Sequence, residues 1–249
     1  MQTGFQHYVV AACAILALSS APRAEASQEG TGDPKALEVA EQLMDAMGGR
    51  ANWDGTQFIK FRFIRGEFDA TLTWDKWTGR YRLDATTEDG EPYVVLMNIE
   101  TREGTAYVDG RALAGEENDA LVWQAARIWK GETYWFLMPF KLRDPGVVLR
   151  YEGEETADGA TYDVVRVSFD GPDMRADQFW AYVNQETHVM DKFRYRLAQG
   201  AEGEFWWRNW ERHGPLLLSA LRENAAGATI RMEEIVATNT MADEVFTTP

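Results

Sequence analysis

The sequence contains very little cysteine and histidine: one cysteine, Cys13, and three histidines in 249 residues. If the N-terminal segment is removed after Ala26, the mature chain has no cysteine, which excludes a disulfide, a thiolate nucleophile and a cysteine-ligated metal. The two remaining histidines, His188 and His213, do not form the short spacings that chelate a metal. We therefore predict no metal site and no cofactor.

Basic residues are also scarce, because 25 Lys and Arg stand against 40 Asp and Glu and give a formal net charge of -15. Nucleic acids and anionic lipid surfaces are recruited by clustered basic side chains, which the sequence lacks. Motifs of catalysis are missing too: there is no Gly-x-Ser-x-Gly elbow, Walker loop or Gly-x-Gly-x-x-Gly. We predict no catalytic residue and no nucleic-acid partner, and we interpret the protein as a non-enzyme.

No apolar run is long enough to span a bilayer, which takes about 20 residues. The run from Tyr8 to Leu18 is followed by Ala24-Glu25-Ala26, the small-x-small form of a signal peptidase site. The pattern predicts a signal peptide over 1–26, export to the periplasm or beyond, and no integral membrane span. A lipoprotein acylated at Cys13 is the alternative.

A helix and a set of strands can be identified from residue periodicity. Asp33 can cap a helix that begins at Pro34, carries an apolar stripe and ends before Gly48-Gly49. From Thr56 the period changes to 2, which predicts about five antiparallel strands before Gly110. A second helical segment is predicted over 118–138, with Gly131 as a place where it can split and Pro139 as its end.

Seven further strand patterns follow Gly146, separated by Gly, Asn and Asp about every ten residues. About 11–12 strands without strand-helix-strand alternation predict a mainly β (α+β) fold. Its predicted form is a single curled antiparallel sheet, an incomplete barrel covered by two or three helical segments. The domain boundaries we expect are a signal peptide over 1–26, a flexible lead-in over 27–32 and one domain over 33–249.

The ten tryptophans of the chain are unevenly placed. In "EFWWRNWER" simple alternation puts Trp206, Arg208 and Trp210 on one strand face and Phe205 and Trp207 on the other. Both faces of this strand must therefore pack against apolar groups. One face can pack under a helix while the other lines a cavity. The aromatic side chains we predict to line a ligand cavity are Trp74, Trp77, Tyr81, Trp135, Phe140, Trp180, Trp206 and Trp210.

The order of these elements resembles the superfamily of periplasmic lipoprotein carriers of the LolA and LolB type, closest to its uncharacterised secreted relatives. The resemblance is carried by a helix ending in "MGG", the following Trp53, the hairpin "LTWDKWTGRYRLD", and then "YWFLMPFKLRDPG", "YDVVRVSF" and "DQFWAYVN". It implies a half-open barrel whose apolar concave face is covered by helices and accepts acyl chains. In the carriers an Arg in the hairpin is tied to handing on the lipoprotein. That position here is Trp77, with Lys76 beside it.

The preferred interpretation is an exported, non-enzymatic binding protein for a hydrophobic or acyl ligand, with a lipoprotein as one such partner. A carbohydrate-binding or carbohydrate-cleaving β-sandwich is the main alternative, because tryptophan rings stack on sugar faces. A third alternative is a structural protein without a small ligand, which a filled barrel interior would indicate. The sequence leaves the oligomeric state open.

Overall fold

The computed structural model describes residues 29–87, 89–170 and 177–249, so the predicted signal peptide and Cys13 lie outside the described residues. The helices are α1 Pro34–Ala46, α2 Arg50–Gly55 and α3 Gly115–Leu137. The first seven strands are β1 Thr31–Gly32, β2 Phe58–Arg65, β3 Phe68–Asp75, β4 Arg80–Thr86, β5 Pro92–Asn98, β6 Gly104–Val108 and β7 Arg111–Ala112. The others are β8 Val147–Ala157, β9 Ala160–Phe169, β10 Gln178–Asn184, β11 Met190–Arg196, β12 Glu202–His213, β13 Leu216–Glu223 and β14 Thr229–Thr238.

All 14 strands of the described residues belong to one sheet, in the order β1-β8-β9-β10-β11-β12-β13-β14-β2-β3-β4-β5-β6-β7. Neighbouring strands are antiparallel except for the parallel pair β1 and β8. The first and last strands of the order do not pair, so the curled sheet is an incomplete barrel with two edges. The predicted fold class is confirmed, and a two-sheet sandwich is excluded because the described strands form a single sheet.

Helix α1 is tied to the sheet at both ends. At its start the side chain of Asp33 accepts hydrogen bonds from the backbone N–H of Ala36 at 2.9 Å and of Tyr151 at 2.8 Å. These two bonds hold the pKa of Asp33 below its ordinary value. At the other end, Gly48 has φ 124°, and a Cβ there would lie 2.5 Å from the Pro215 carbonyl oxygen. Only glycine fits this close approach. Together, the contacts at its two ends place α1 across the inner face, from β8 to the start of β13.

Helix α3 crosses the inner face of the sheet from the β6–β7 edge toward β13. Its buried apolar positions, such as Val122, Ala125 and Phe136, recur at helical spacing and face the strands. The helix continues through Gly131, where the sequence allowed a split, and a short 3-10 turn, Met138–Lys141, follows it. The predicted helical segment and its end at Pro139 are otherwise confirmed.

The predicted strands are present: five, β2 to β6, lie between Thr56 and Gly110, and each of the seven later patterns is a strand, β8 to β14. The two-residue strands β1 and β7 were not predicted, so the described residues form 14 strands where about 11–12 were expected. Thr31–Gly32, within the segment for which the sequence predicts a flexible lead-in, form the short strand β1 on β8. On β3 the side chains of Ala70, Leu72 and Trp74 contribute to the core between sheet and helices, as alternation predicts.

Candidate functional site

A groove opens at the β7 edge of the barrel, between the last strands and the start of α3. It has a volume of about 670 Å³ and a mostly apolar lining. The residues that line it are Val108, Arg111, Ala112, Leu113, Glu117, Ala120 and Leu121. The groove exists because β7 is only two residues long and the chain then turns at once onto the inner face as α3.

Asn118, next to the groove residue Glu117, holds the start of α3 to β6. Its side-chain oxygen accepts a hydrogen bond from the backbone N–H of Ala106 at 2.9 Å, and its amide nitrogen donates to the carbonyl of Gly104 at 3.3 Å. The first turn of α3 is thereby held to β6. Arg111 and Glu117 bring opposite charges to the lining, so the site is apolar with polar groups of both signs.

The interior farther along α3 is filled by aromatic side chains, as the alternative of a structural protein predicts, so a ligand site is left at the open edge of the sheet rather than in its centre. Phe140 stacks on Trp53 with 4.6 Å between ring centroids, and Phe136 lies 4.4 Å from Phe61. Trp135 meets Phe205 edge-on at 5.4 Å. Trp135 and Phe140, which the sequence suggests as cavity lining, are thus packed in the core rather than exposed to the groove.

Four side chains with buried polar atoms are neighbours in pairs beneath the middle of α3, and we call them the buried polar cluster: Trp74, Tyr81, Trp129 and Glu132. The rings of Trp74 and Trp129 are 5.3 Å apart, Trp74 and Tyr81 are cross-strand partners, and Glu132 follows Trp129 by almost one helical turn. Within the described residues, the Nε1 atoms of both tryptophans, Tyr81 Oη and Glu132 Oε2 are buried without a hydrogen-bond partner.

Glu132 is the acidic member of this cluster, with 4% of its surface exposed. Its other oxygen, Oε1, lies 3.4 Å from Arg65 Nη2. Burial raises the pKa of Glu132 to about 7, and the positive charge of Arg65 opposes part of that rise. Burial also raises the pKa of Tyr81 well above its usual value, with smaller contributions from Tyr93 and Glu132.

Arg222 is a fully buried cation at the far end of α3. Its Nε donates to the Trp135 carbonyl at 3.1 Å, Nη1 to the Ser219 carbonyl at 2.6 Å and Nη2 to the Phe136 carbonyl at 3.4 Å. The guanidinium lies 3.6 Å from the ring centroid of Trp207. No carboxylate among the described residues forms an ion pair with it, and burial lowers its pKa. The guanidinium instead donates to the carbonyls of Trp135 and Phe136 in the last turn of α3. At a helix C-terminus these carbonyls lack backbone partners, and the helix dipole favours a cation.

Trp180 and Trp206 lie on the outer face of the sheet, away from the helices. They form a second cluster with Tyr182 and neighbouring side chains. Arg194 covers Trp180 at 4.2 Å and Lys192 covers Tyr182 at 3.9 Å, measured to the ring centroids. These two tryptophans therefore cannot line a cavity beneath the helices, because alternation along β10 and β12 gives the inner positions to their sequence neighbours.

Simple alternation predicts that Trp210 shares the strand face of Trp206, and this prediction is wrong. Asn209 has φ 55°, in the left-handed region, and this residue interrupts the alternation of β12. Trp210 consequently stacks on Trp207, with 6.1 Å between ring centroids, and packs against the inner core. The shared face of Phe205 and Trp207 is as predicted.

Trp77, at the tip of the β3–β4 hairpin, is 57% exposed. Its Nε1 donates to the Asp54 carbonyl at 3.1 Å, and the side chain of Asp75 accepts from its backbone N–H. Beside it, Lys76 donates to the Trp53 carbonyl and lies 3.6 Å from the Trp53 ring centroid. Burial lowers the pKa of Lys76 to about 8.

Of the eight aromatic residues predicted as cavity lining, Trp74 and Tyr81 come together in the buried polar cluster. None of the eight lines the groove. Glu132, Arg222 and the groove were not predicted from the sequence, although the two residues carry a sequence signal. Glu132 occupies a buried position of the α3 stripe, and Arg222 lies on the same face of β13 as the buried Leu216 and Leu218.

In the part of the chain that the structure describes, no group of three His, Cys, Asp or Glu side chains is placed to hold a metal ion. No helix there has the length and apolar character needed to cross a membrane.

A family model with the description "Family of unknown function (DUF6503)" matches residues 115–239, which include α3 and β8 to β14. No curated protein matches the chain.

Several solved structures are similar in fold. A LolA superfamily protein from Nitrosomonas europaea has 10% identity and a TM-score of 0.48, over 85% of this chain and 96% of that one. A DUF1329 family protein from Desulfovibrio piger has 10% identity and a TM-score of 0.43, with the same coverage of 85% and 96%. Lipoprotein LppX of Mycobacterium tuberculosis has 13% identity and a TM-score of 0.35, over 84% and 98%. None of these likenesses identifies a ligand.

Proposed function

Since the chain belongs to the family of unknown function DUF6503, we propose its function from its own geometry. The protein is an exported, non-enzymatic binding protein that holds an apolar or acyl ligand at the open edge of its half barrel. Export after cleavage at Ala26 belongs to this proposal and rests on the leader pattern of the sequence. The mature domain proposed is 33–249.

The observation that carries the proposal is the groove between β6, β7 and α3. The groove is open to solvent and lined by exposed and half-buried residues, and its volume of about 670 Å³ is large enough for a small apolar molecule. Its wall is made of side chains such as Val108, Leu113 and Leu121, which match an alkyl chain. It also lies at the edge, where a ligand enters without displacing the stacked rings of the core.

Filling the groove is the direct test. Ala120 is exposed on the groove wall, so Ala120→Trp places a large ring where the ligand would lie. We expect this variant to weaken the binding of an uncharged fluorescent lipid probe such as Nile red at least tenfold, measured by fluorescence titration. Binding weakens because the tryptophan ring fills the groove and not because the protein unfolds, so the melting temperature of the variant should stay near that of the wild type.

Ala225→Trp is the matched control, because Ala225 is exposed in the turn between β13 and β14 and does not line the groove. It should bind the probe as the wild type does. Equal binding by the wild type and Ala120→Trp would contradict the placement of the ligand in the groove. Failure of the wild type to bind the probe at all would contradict the proposed function.

A further inference from the structure

We propose that the buried polar cluster is a hydrogen-bonding site for an uncharged hydroxyl group, so that the preferred ligand is a neutral lipid alcohol rather than a fatty acid or a bare hydrocarbon. This inference rests on the proposed function, because the alkyl part of the ligand would lie in the groove. It adds a polar recognition site that the apolar lining does not provide.

The first step is geometric. Trp74 and Tyr81 are directly opposite each other on β3 and β4, and Trp129 packs edge-on against Trp74 with 5.3 Å between ring centroids. Glu132 follows Trp129 on the same side of α3 and is within electrostatic range of the Tyr81 hydroxyl. These relations link polar groups from two strands and one helix in a chain beneath α3, from Trp129 to Trp74, from Trp74 to Tyr81 and from Tyr81 to Glu132.

The second step is the hydrogen-bonding inventory. The cluster offers three donors, the indole N–H groups of Trp74 and Trp129 and the hydroxyl of Tyr81, and one acceptor, Glu132 Oε2. None of these atoms has a partner among the described residues. Buried polar groups are normally paired, because an unpaired one loses its hydration without compensation. A group that occupies this site must therefore both accept and donate hydrogen bonds.

A hydroxyl meets that requirement. It can donate to Glu132 Oε2 and accept from an indole N–H or from Tyr81. A ligand carboxylate has no proton to donate, and it would repel Glu132 when that residue is ionised. A hydrocarbon would leave the three donors and the acceptor unpaired. The cluster thus distinguishes ligands by their polar end.

The third step is access from the groove. Leu121 is shared by the groove wall and α3, and Trp129 follows eight residues later, about 12 Å along the helix axis. Between 115 and 131 the helix buries only Val122, Ala125 and Ile128, whereas every residue from Glu132 to Leu137 is buried. The part of α3 that separates the groove from the cluster is therefore the more weakly attached part.

Three ligands with the same chain length separate the alternatives: 1-dodecanol, dodecyl methyl ether and dodecanoate. Each compound is titrated against Nile red bound to the wild-type protein at about pH 8, and its affinity is obtained from the displacement of the probe. We expect 1-dodecanol to bind roughly tenfold more tightly than the ether or the carboxylate, since a hydrogen bond to a charged group is among the stronger ones. Tyr81→Phe and Glu132→Gln should each reduce this preference to less than about threefold without weakening ether binding.

Glu116→Gln and Tyr107→Phe are the matched controls, because neither residue belongs to the cluster, and both should keep the wild-type preference. Melting temperatures of all four variants verify that they are folded. Equal affinities for the alcohol and the ether, tighter binding of dodecanoate, or a preference that persists in both cluster variants would overturn the inference while leaving the proposed function intact. If none of the three compounds displaces the probe, the proposed function fails and the inference fails with it.

Discussion

Arg222→Leu is expected to lower the free energy of unfolding by about 3 kcal/mol, because it leaves buried carbonyl groups without a donor. The carbonyls of Trp135, Phe136 and Ser219 all accept hydrogen bonds from this guanidinium. Two of them belong to the last turn of α3, where the helix has no further backbone donors to offer. Urea unfolding followed by tryptophan fluorescence measures the loss.

Two effects oppose each other at Arg222, because burying a charge costs free energy and apolar replacements of buried ions can stabilise a protein. A leucine variant that is as stable as the wild type would show that desolvation of Arg222 outweighs its hydrogen bonds and its contact with Trp207. Arg212→Leu is the control, since Arg212 is exposed on the adjacent strand β12. It should change the free energy of unfolding by less than about 0.5 kcal/mol.

Glu132→Gln is expected to stabilise the protein at alkaline pH and to leave its stability nearly unchanged near pH 4. The folded-state pKa of Glu132 is about 7 and its ordinary value is 4.5. Between these two values the folded protein holds a proton that the unfolded chain has lost, so the stability contributed by this group falls as pH rises through that window. Above about pH 7 the loss amounts to about 3 kcal/mol, and glutamine avoids it.

Urea unfolding of the wild type and Glu132→Gln at about pH 4 and about pH 8 gives the difference directly. Other acids titrate in the same window, so Glu116→Gln, which alters an exposed acid of the same helix, is measured alongside. A glutamine variant that is less stable than the wild type at about pH 8 would contradict this account. Such a result would mean that Arg65 stabilises the ionised carboxylate by more than burial costs.

Most of the fold could be predicted because its local signals agree with one another. Asp33, Pro34 and the glycines at 48 and 49 mark the ends of α1, and Pro139 marks the end of the long helix. Period-2 alternation identifies the strands, and the absence of strand-helix-strand order identifies an antiparallel sheet. Gly131 does not split α3, because flanking turns that pack on the sheet outweigh the weak helix propensity of a single glycine.

The site was less predictable, because it depends on which strand face meets the helices. Alternation shows that Trp180 and Phe179 point in opposite directions, but it does not say which direction is inward. At Trp210 even the alternation fails, since the left-handed Asn209 changes the phase of β12. The groove depends on the shortness of β7 and on the angle at which α3 leaves it, and neither has a sequence signature.

Buried polar residues were missed for a related reason. A glutamate or an arginine in an amphipathic pattern is normally assigned to solvent. Glu132 and Arg222 break that rule, and each lies at a point where α3 meets the sheet. Their burial becomes visible only when the helix and the strands are placed together.

We propose that the protein holds an apolar ligand at the open edge of its half barrel. Native mass spectrometry of the purified protein, kept free of detergent and then incubated with 1-dodecanol, tests it most directly. We expect a complex with one ligand per chain, formed by the wild type and by Ala225→Trp but not by Ala120→Trp. Detection of the bare polypeptide mass alone, before and after incubation, would contradict it.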